Sequence, residues 1–314
     1  MYIGVDLGGT NIAAGVVNEN GEIIAKGSVP TLAEREYPEI IKDMAALCES
    51  VTKEAGYTVK DIKAIGIGSP GTIDNENGMV VYANNLKMNK APIAAELRKY
   101  IDVPVNMEND ANAAAYGEYA INGNGAKSFV FITLGTGVGG GIVLDGKIYR
   151  GFNNAGAELG HVPLIYNGYP CSCGHNGCWE AYASVTALIR QTKEAMEKHP
   201  ESYMNEYAKQ EGKVSGRTAF AAAKQGDKAA KEVVDQYLEY VAEGIYGIVN
   251  IFQPEKLLIG GGISKEGDYL LNPIIEYVEK YDYNRYMPKA HLEIATLFND
   301  AGIIGAALAA KNSL

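Results

Sequence analysis

The sequence has little positive charge and no long apolar run. Lys and Arg total 28 against 38 Asp and Glu, which gives a formal net charge of −10. Proteins that bind nucleic acid gain most of their affinity from basic side chains that neutralise phosphates. No basic stripe is present, so no nucleic-acid partner is expected. No window approaches the roughly 18 consecutive apolar residues of a membrane helix, so no membrane partner is expected either.

An amino-terminal targeting signal is also missing. The first residues, MYIGVDLGGT, contain no basic region, no apolar core and no small-residue cleavage site. We therefore expect a cytoplasmic protein with reduced thiols. The chain has 314 residues, of which 47% are hydrophobic, and this is enough for a large core and about two domains.

One arrangement of strands occurs twice in the sequence. Residues 2–29 predict three strands, joined by the glycine-rich turn GGTN and by a tight turn at Gly21. Residues 129–150 repeat the plan as strand, the turn GTGVGGG, strand, a tight turn at Gly146 and strand. We interpret this as an internal duplication, with two lobes that each carry a glycine turn facing a central cleft.

Elsewhere the sequence alternates between helical and strand patterns. Helical spacing of apolar residues predicts long helices over 36–56 and 231–254, and Cys48 falls on the core face of the first. The other predicted elements are a strand at 62–71, a loop rich in Asn and Gly after it, a short helix at 91–100, a polar surface at 190–215, a strand at 255–260 and a small-residue helix at 300–310. No linker separates the lobes, so a boundary near residue 106 is inferred from the repeat.

The glycine turns are candidates for phosphate binding. The pattern G-x-G-x-x-G at Gly135, Gly137 and Gly140 indicates a dinucleotide site only when it opens a helix, whereas a strand is predicted here. No Lys-Ser or Lys-Thr ends a glycine run, which excludes a P-loop. A hairpin tip without side chains lets consecutive backbone N–H groups approach an anion, and Thr10 and Thr136 add hydroxyl donors. An ordinary tight turn would need the same glycines.

The first turn also has an acidic neighbour. In the functional interpretation Asp6 holds a magnesium ion, directly or through water, beside a phosphate cradle. The cradle consists of Gly8, Gly9, Thr10 and Asn11. In the alternative interpretation Asp6 only caps a turn. After a third predicted strand, a further flat backbone surface suits a nucleotide base or ribose, and it consists of Gly260, Gly261 and Gly262.

A short strand ends at ENDANAAAYGE, where an alanine-rich helix begins. This places Asp110 near a helix N-terminus, and two interpretations stay open. Asp110 is an ordinary N-cap that accepts a backbone N–H, or it accepts the proton of a hydroxyl that attacks a phosphoryl group. Asn109 beside it could then hydrogen-bond the hydroxyl-bearing substrate.

Three of the four cysteines lie in CSCGHNGCWE, residues 171–180. Three thiolates and the imidazole of His161 would satisfy tetrahedral zinc in a closed, structural site. The three thiols belong to Cys171, Cys173 and Cys178. Their C-x-C-x4-C spacing departs from that of zinc fingers, so three incidental free thiols stay open as the alternative. A structural disulfide is not expected in a reduced compartment.

Five motifs in this order and spacing resemble the ROK family of repressors, open reading frames and kinases, and most of all its zinc-containing bacterial glucokinases. They are DLGGTNIAAGVV, ENDANAAAYGE, LGTGVGGGIVLDGKIYRG, AGAELGHV and CSCGHNGCWEAYAS. The resemblance implies an α/β, actin-like (ribonuclease H-like) two-lobed sugar kinase fold. The expected lobes are 1–106 plus 299–314, and 107–298, with the C-terminal helix packed on the N-terminal lobe.

The resemblance also implies an activity and its components. The expected reaction is ATP-dependent phosphorylation of the 6-hydroxyl of glucose, in glycolysis, with ATP, Mg²⁺ and a structural Zn²⁺, by a homodimer. Asp110 matches the family's catalytic base. The substrate-binding residues so implied are Gly71, Asn84, Asn85, Asn109, Asp110, Glu158, His161 and Glu180. Residues His161, Cys171, Cys173 and Cys178 match its zinc ligands.

The cysteine cluster then has an expected purpose. Glu158 lies three residues before His161, and Glu180 lies two after Cys178. A zinc ion that pins both segments would fix both carboxylates on one wall of a sugar pocket, and His161 could meet a sugar hydroxyl through its second ring nitrogen. In the alternative interpretation both acids are merely solvated.

The sequence departs from the family at one position of the sugar loop. Glucokinases of the family often carry a tryptophan shortly after the Asn that matches Asn84 or Asn85, whereas this chain has Lys87 and Met88. Mannose, fructose, N-acetylglucosamine and N-acetylmannosamine therefore stay open as substrates, and polyphosphate or ADP as donor. Two other classes stay open. One is a sugar-responsive repressor, although no room for a winged helix is expected before Tyr2, and the other is a zinc-stabilised sugar-binding protein without catalysis.

Overall fold

The computed structural model describes all 314 residues, and they divide into two compact units. The first unit contains Met1–Phe131, Gly141–Ala157 and Thr296–Leu314, and the second contains Ile132–Gly140 and Glu158–Ala295. The strands are β1 (Tyr2–Leu7), β2 (Asn11–Val17), β3 (Ile23–Pro30), β4 (Ala64–Ser69), β5 (Thr72–Asp74), β6 (Met79–Ala83), β7 (Met88–Ala91), β8 (Val105–Asn109), β9 (Ser128–Leu134), β10 (Val138–Leu144), β11 (Lys147–Ile148), β12 (Lys256–Gly260) and β13 (His291–Ile294).

The α-helices lie between and after these strands. They are α1 (Tyr37–Glu54), α2 (Ile93–Arg98), α3 (Asp110–Asn122), α4 (Glu180–Ala183), α5 (Val185–Lys198), α6 (Tyr203–Gln210), α7 (Thr218–Lys224), α8 (Lys228–Phe252), α9 (Asp268–Tyr281) and α10 (Asp300–Asn312). None of them combines the length and the apolar character that crossing a bilayer would require.

The first sheet has the strand order β3-β2-β1-β4-β8. Strand β1 pairs antiparallel with β2 and parallel with β4, which in turn pairs parallel with β8. Alternate residues of β1 point to opposite faces, as in any strand. Ile3 and Val5 join the core that also contains Met44 and Cys48 of α1, whereas Tyr2 packs with Ile303 of α10. The predicted core position of Cys48 is confirmed, because its side chain is fully buried.

The small-residue helix α10 packs closely within the first unit, as its composition predicts. A Cβ at Gly66 of β4 would lie 1.8 Å from the Ala306 carbonyl oxygen, and one at Gly117 of α3 would lie 2.2 Å from that of Ala301. Glycine is therefore needed at both contact points, since any side chain would push α10 away.

The loop expected after residue 71 is a wrong prediction. Strands β5, β6 and β7 form a three-stranded antiparallel sheet there. Each strand has five residues or fewer and buries only one or two side chains, among them Ile73 and Val80. So short an alternation of buried and exposed residues gives no recognisable period in a segment rich in Asn and Gly.

The second five-stranded sheet repeats the plan of the first. Its order is β11-β10-β9-β12-β13, with β10 and β11 antiparallel and β12 and β13 parallel. The predicted duplication is thus confirmed, and a strand rather than a helix follows Gly137. The turn is shorter than predicted, because Gly139 to Gly141 lie in β10. A Cβ at Gly141 would lie 2.4 Å from the Cβ of Ala115 in α3, so this glycine permits close helix packing.

Helices α7 and α9 were not expected from the sequence, and the polar stretch 190–215 is not entirely surface. Thr192 of α5 and Met204 of α6 are fully buried.

The bounds of the two compact units differ from the lobe boundary expected near residue 106, which was inferred from the duplication. That lobe division stays a prediction.

Candidate active site

The carboxyl ends of three parallel strands meet at one edge of the first sheet. The register aligns Asp6 of β1 with Gly68 of β4, and Gly68 with Glu108 of β8. The residues that follow these strands therefore collect at the same edge, where α/β sheets usually bind ligands. Gly71, Asn109 and Asp110 are among them. Residues expected from sequence to serve the sugar and the nucleotide thus lie together in this unit.

Two half-buried carboxylates, Asp6 and Asp110, lie close enough at this edge for their charges to interact. Burial raises the pKa of Asp6 to about 6, and the nearby charge of Asp110 contributes to the rise. Burial also raises the pKa of Asp110, although the Ala111 N–H, which donates to its Oδ1 at 2.8 Å, partly opposes the change. Such a pair is stabilised by a proton or by a cation, because two close negative charges repel each other in a low dielectric.

The N-cap of helix α3 is Asn109 rather than Asp110. Asn109 Oδ1 accepts the N–H groups of Ala111 at 3.0 Å and Asn112 at 3.2 Å. Its Nδ2 donates to the Gly71 carbonyl oxygen at 3.3 Å, which joins the β8–α3 junction to the segment after β4. Because Asn109 supplies the cap, the capping interpretation of Asp110 loses its main support, and Asp110 is the first helical residue.

A buried ion pair supports this junction, and no sequence pattern singled it out. Glu108 is 2% exposed, and Arg150 Nε donates to its Oε2 at 2.8 Å. The other carboxylate oxygen accepts the backbone N–H of Asn109 at 3.0 Å and Asn112 Nδ2 at 3.3 Å. An acid in a buried strand signals that some partner exists, but 42 residues separate the two side chains in the chain, so the partner could not be deduced.

The first glycine turn, residues 8–11, is closed by its own backbone. Gly8 N–H donates to the Asn11 carbonyl oxygen at 3.0 Å. Thr31, just after β3, donates its Oγ1 hydrogen to the Gly8 carbonyl oxygen at 2.6 Å and its N–H to that of Thr10 at 2.9 Å. Thr10 and Asn11 themselves are exposed. The turn is therefore held from the strand side, and its tip stays accessible.

The expected sugar loop reaches this turn. Asn84 and Asn85 lie in a 3₁₀ turn, Asn84–Leu86, that ends at Lys87 in the left-handed region with φ 53°. A Cβ at Gly9 would lie 3.2 Å from the Asn85 carbonyl oxygen, so the sugar loop and the glycine turn are neighbours. Tyr82 Oη lies 3.5 Å from Asn84 Oδ1 and orients that amide.

The second glycine turn, residues 135–137, lies in the second unit beside the glycine run after β12. Gly135 N–H donates to the Gly137 carbonyl oxygen at 3.0 Å and closes the turn. Gly261 has φ 88°, and a Cβ there would lie 2.2 Å from the Leu134 carbonyl oxygen. Backbone therefore packs on backbone at this point. Gly261 therefore lies against Leu134, the last residue of β9 before the second glycine turn.

The cysteine cluster has the geometry of a metal site. The ligand atoms of His161, Cys171, Cys173 and Cys178 all lie within 4.8 Å of one another. Cys171 Sγ is 3.6 Å from His161 Nδ1, and Cys173 Sγ is 3.6 Å from Cys178 Sγ. A tetrahedral zinc with Zn–S of about 2.3 Å and Zn–N of about 2.0 Å separates its ligand atoms by about 3.5 to 3.8 Å. The four residues therefore fit zinc, and the sulfur separation excludes a disulfide.

The pKa values of the three thiols are shifted in different directions. Burial raises the pKa of Cys178 to about 12 and also raises that of Cys171, whereas the backbone N–H of His175 lowers that of Cys173. Binding of zinc would remove the thiol protons, since only thiolates are good ligands. His175 Nδ1 lies 4.0 Å from Cys178 Sγ but stands outside the group of four.

The two predicted sugar carboxylates have different surroundings. Glu180 begins α4 and is half-buried, and its Oε2 accepts the Val138 N–H at 3.0 Å. Glu158 is exposed and precedes a single 3₁₀ turn, in which its carbonyl oxygen accepts the His161 N–H at 3.1 Å. Glu158 therefore contacts His161 of the cluster through the backbone, and Glu180 is hydrogen-bonded to the second glycine turn, which was not expected.

A sequence profile of the ROK family matches residues 2–313. The chain belongs to the ROK family. A glucokinase from Halalkalibacterium halodurans is 39% identical over 97% of this chain and 93% of its own length. A crystal structure of a ROK family glucokinase from Streptomyces griseus in complex with glucose and AMPPNP has a TM-score of 0.84 and 35% identity, and covers 99% of both chains. The expected family and its α/β, actin-like sugar kinase fold are thus confirmed.

This chain also matches a regulator, but over a smaller share of that regulator's length. A xylose repressor from Caldicellulosiruptor bescii is 30% identical over 96% of this chain, but the match covers 76% of the repressor. The glucokinases from Halalkalibacterium halodurans and Streptomyces griseus match this chain at higher identity than this repressor and over more of their own length.

Proposed function

We propose that this chain is an ATP-dependent hexose kinase that transfers the γ-phosphoryl group of ATP to the 6-hydroxyl of glucose. The observation that carries the proposal is its full-length similarity to glucokinases, one of which is solved with glucose and AMPPNP. AMPPNP replaces the bridging oxygen of ATP between the β- and γ-phosphates by nitrogen, so that complex contains a sugar acceptor and an analogue of the donor.

Asp110 is the proposed catalytic base. It accepts the proton of the 6-hydroxyl while that oxygen bonds to the γ-phosphorus, and the bond from the γ-phosphorus to the bridging oxygen breaks to release ADP. Its raised pKa makes the carboxylate a better proton acceptor than an exposed aspartate. Because Asn109 caps helix α3, Asp110 is left available for this role.

The two glycine turns are the proposed sites for the phosphates of ATP. The residues so assigned are Gly8, Gly9, Thr10, Asn11, Thr136 and Gly137. Bare backbone N–H groups and threonine hydroxyls suit phosphate oxygens. Gly260, Gly261 and Gly262 are assigned to the adenosine. Asp6 is assigned to Mg²⁺, which would neutralise the charge of the phosphates, since its raised pKa indicates a carboxylate short of positive partners.

The residues assigned to the sugar are Gly71, Asn84, Asn85, Asn109, Asp110, Glu158, His161 and Glu180. Carboxylates can accept hydrogen bonds from sugar hydroxyls, and amides can both accept and donate them. The contact between Asn109 Nδ2 and Gly71 supports a common role for these two residues.

His161, Cys171, Cys173 and Cys178 are the proposed ligands of a structural zinc ion. A closed site of four protein ligands contributes folding free energy and has no open position for a substrate. We further propose that the enzyme is a cytoplasmic homodimer that acts at the start of glycolysis, where glucose is first phosphorylated. Sedimentation velocity of the purified enzyme tests the dimer.

The substrate is tested by initial rates over a panel of acceptors and donors. The acceptors are glucose, mannose, fructose, N-acetylglucosamine and N-acetylmannosamine, and the donors are ATP, ADP and polyphosphate. We expect glucose with ATP to give the highest kcat/KM. A higher kcat/KM for another pair would reassign the substrate. An Asp110→Asn variant purified in the same way controls for a contaminating host kinase.

A second outcome would change the class of the protein. If calorimetry detects glucose binding but no acceptor is phosphorylated, the chain is a zinc-stabilised sugar-binding protein and the kinase proposal is wrong.

A further inference from the structure

Glu180 packs directly against the second glycine turn. Its Oε2 accepts the Val138 N–H at 3.0 Å, where the turn enters β10. A Cβ at Gly137 would lie only 2.2 Å from the same oxygen. An alanine at Gly137 would therefore displace the Glu180 carboxylate from the turn.

The second oxygen of this carboxylate faces the cysteine cluster. Ser172 Oγ donates to Glu180 Oε1 at 3.2 Å, and Cys171 Sγ lies 3.7 Å from the same atom. In the chain Ser172 lies between Cys171 and Cys173, two residues that fit zinc. One carboxylate thus joins the metal-binding loop to the glycine turn.

The residues just before Glu180 are anchored in the core of the second unit. Cys178 is fully buried, and the indole N–H of Trp179 donates to the Tyr240 carbonyl oxygen at 2.8 Å. A Cβ at Gly244 of α8 would lie 2.1 Å from the Trp179 ring, so the ring rests against the helix backbone. Glu180 therefore has a fixed backbone on a rigid support, and its carboxylate can hold a partner in one place.

We propose that Glu180 is a positioning residue through which metal occupancy of the His161–Cys178 cluster sets the affinity of the second glycine turn for nucleotide phosphates. This rests on the proposed function, in which Thr136 and Gly137 bind ATP. Loss of the metal would free the largely exposed loop 171–176, and the Ser172 hydroxyl that donates to Glu180 Oε1 would no longer be held in place. The Val138 N–H would then be held less firmly, and ordering the turn on binding would cost affinity.

Calorimetric titration with AMPPNP and Mg²⁺, without sugar, tests the coupling. The wild type is measured with zinc bound and after chelation, with zinc content verified by mass spectrometry. We expect zinc removal to weaken AMPPNP binding about tenfold. Glu180→Ala should weaken it by about the same factor with zinc bound, and zinc removal should then change the Kd less than about twofold. Glu180→Gln keeps an oxygen for the Val138 N–H and should restore most of the affinity.

A second attachment of the same turn provides the matched control. Thr186 Oγ1 donates to the Thr136 carbonyl oxygen at 2.7 Å, and this hydrogen bond involves no residue of the cluster. Thr186→Val should therefore weaken AMPPNP binding by the same factor in both metal states. If Glu180 only held the turn in place, as Thr186 does, zinc removal would change the Kd for AMPPNP by the same factor in Glu180→Ala and in Thr186→Val. This result would overturn the proposal.

Two further results separate the failure of the coupling from the failure of the function. No AMPPNP binding by the zinc-loaded wild type would overturn the nucleotide site and the coupling with it. Equal affinity of the wild type in both metal states would overturn the coupling alone.

Chelation could unfold the chain, so hydrogen exchange on zinc-loaded variants gives an independent measurement. Glu180→Ala should speed amide exchange in a peptide covering 135–144 and leave a peptide covering 2–17 unchanged. Unchanged exchange in 135–144 would contradict the role of Glu180.

Discussion

The two glycine turns occupy the same place in duplicated sheets but are held in different ways. Thr31 after β3 and the turn's own backbone hold the first turn. The second is held by Glu180 and by Thr186, which follow the cysteine cluster. The strand before each turn differs too, because Asp6-Leu7-Gly8 in one corresponds to Thr133-Leu134-Gly135 in the other.

The difference shows what a duplication preserves. The backbone path is preserved because strand pairing and the tight turn fix it. The side chains around it are free to change. The first turn has half-buried carboxylates beside it, whereas the second is hydrogen-bonded to Glu180, which follows the cysteine cluster. We infer that the chemistry belongs to the first turn, and that the second turn serves only to bind.

The sharpest test of this comparison is Asp110→Asn. We expect kcat to fall about 10²- to 10⁴-fold, since an amide cannot accept the hydroxyl proton, with the Kd for glucose within about twofold because the shape is kept. Steady-state rates and calorimetry measure the two quantities. Asp102→Asn, at an exposed position of the same unit, should leave both unchanged. A kcat near that of the wild type would refute the role of Asp110.

The next effect concerns the support of the first site. Arg150→Ala leaves Glu108 buried without its cation, which should cost about 2 to 3 kcal/mol in the free energy of unfolding, somewhat less than for a fully buried pair because Arg150 is partly exposed. Urea unfolding measures it. Arg98→Ala, at an exposed arginine, is the control. Adding Glu108→Gln to Arg150→Ala should recover part of the loss. No recovery would show that the charge of Glu108 is not the cause.

A pH dependence should distinguish the two turns. The pKa of Asp6 is about 6 in the folded protein against an ordinary value of 3.8. The folded state therefore binds this proton more tightly, and the stability that it provides is present below pH 3.8 and is lost as the pH rises through about 6. Asp6→Asn should raise the free energy of unfolding by about 2 kcal/mol at pH 8 and by much less at pH 4.

Thr133→Val provides the comparison from the second sheet. Thermal unfolding of both variants from pH 4 to pH 8 should show a pH-dependent change in Tm, relative to the wild type, for Asp6→Asn only. A pH-independent change for Asp6→Asn would contradict the burial of a titrating carboxylate.

The smallest expected effect separates two glycines of the second turn. Alanine at Gly137 would meet Glu180 Oε2, whereas a Cβ at Gly135 would have no neighbour within 4 Å. The Glu180 side chain can move aside, so the change is mild. We expect the KM for ATP to rise about five- to tenfold in Gly137→Ala and less than about twofold in Gly135→Ala. Equal effects would mean that Gly137 is not required by Glu180.

Much of the first site was predictable because its signals are local. A turn such as GGT between two apolar strands, or Asn-Asp between a strand and an alanine-rich helix, specifies the backbone over a few residues. The cysteine spacing likewise limits what the thiols can reach. The three-stranded sheet β5–β7 was missed because its strands are too short to show a period.

The pairing of side chains distant in sequence was not predictable. Glu108 with Arg150, and Glu180 with Val138, each lie 42 residues apart. Neither pair has a sequence pattern. Arg150 is of a residue type that is usually at the surface, and Val138 contributes only its backbone N–H. The assignment of the helix cap to Asn109 instead of Asp110 also needed coordinates, because adjacent Asn and Asp have similar capping preferences.

The sequence alone determined the two hairpins with glycine tips, the core face of α1 and the ligand types of the cysteine cluster, because local sterics and side-chain chemistry act over a few residues. Only the tertiary structure decided which carboxylates lie close together, which cation neutralises Glu108 and which turn Glu180 contacts. Those outcomes depend on how sheets and helices bring distant segments within hydrogen-bond distance, and on the cost of burying a charge without a partner.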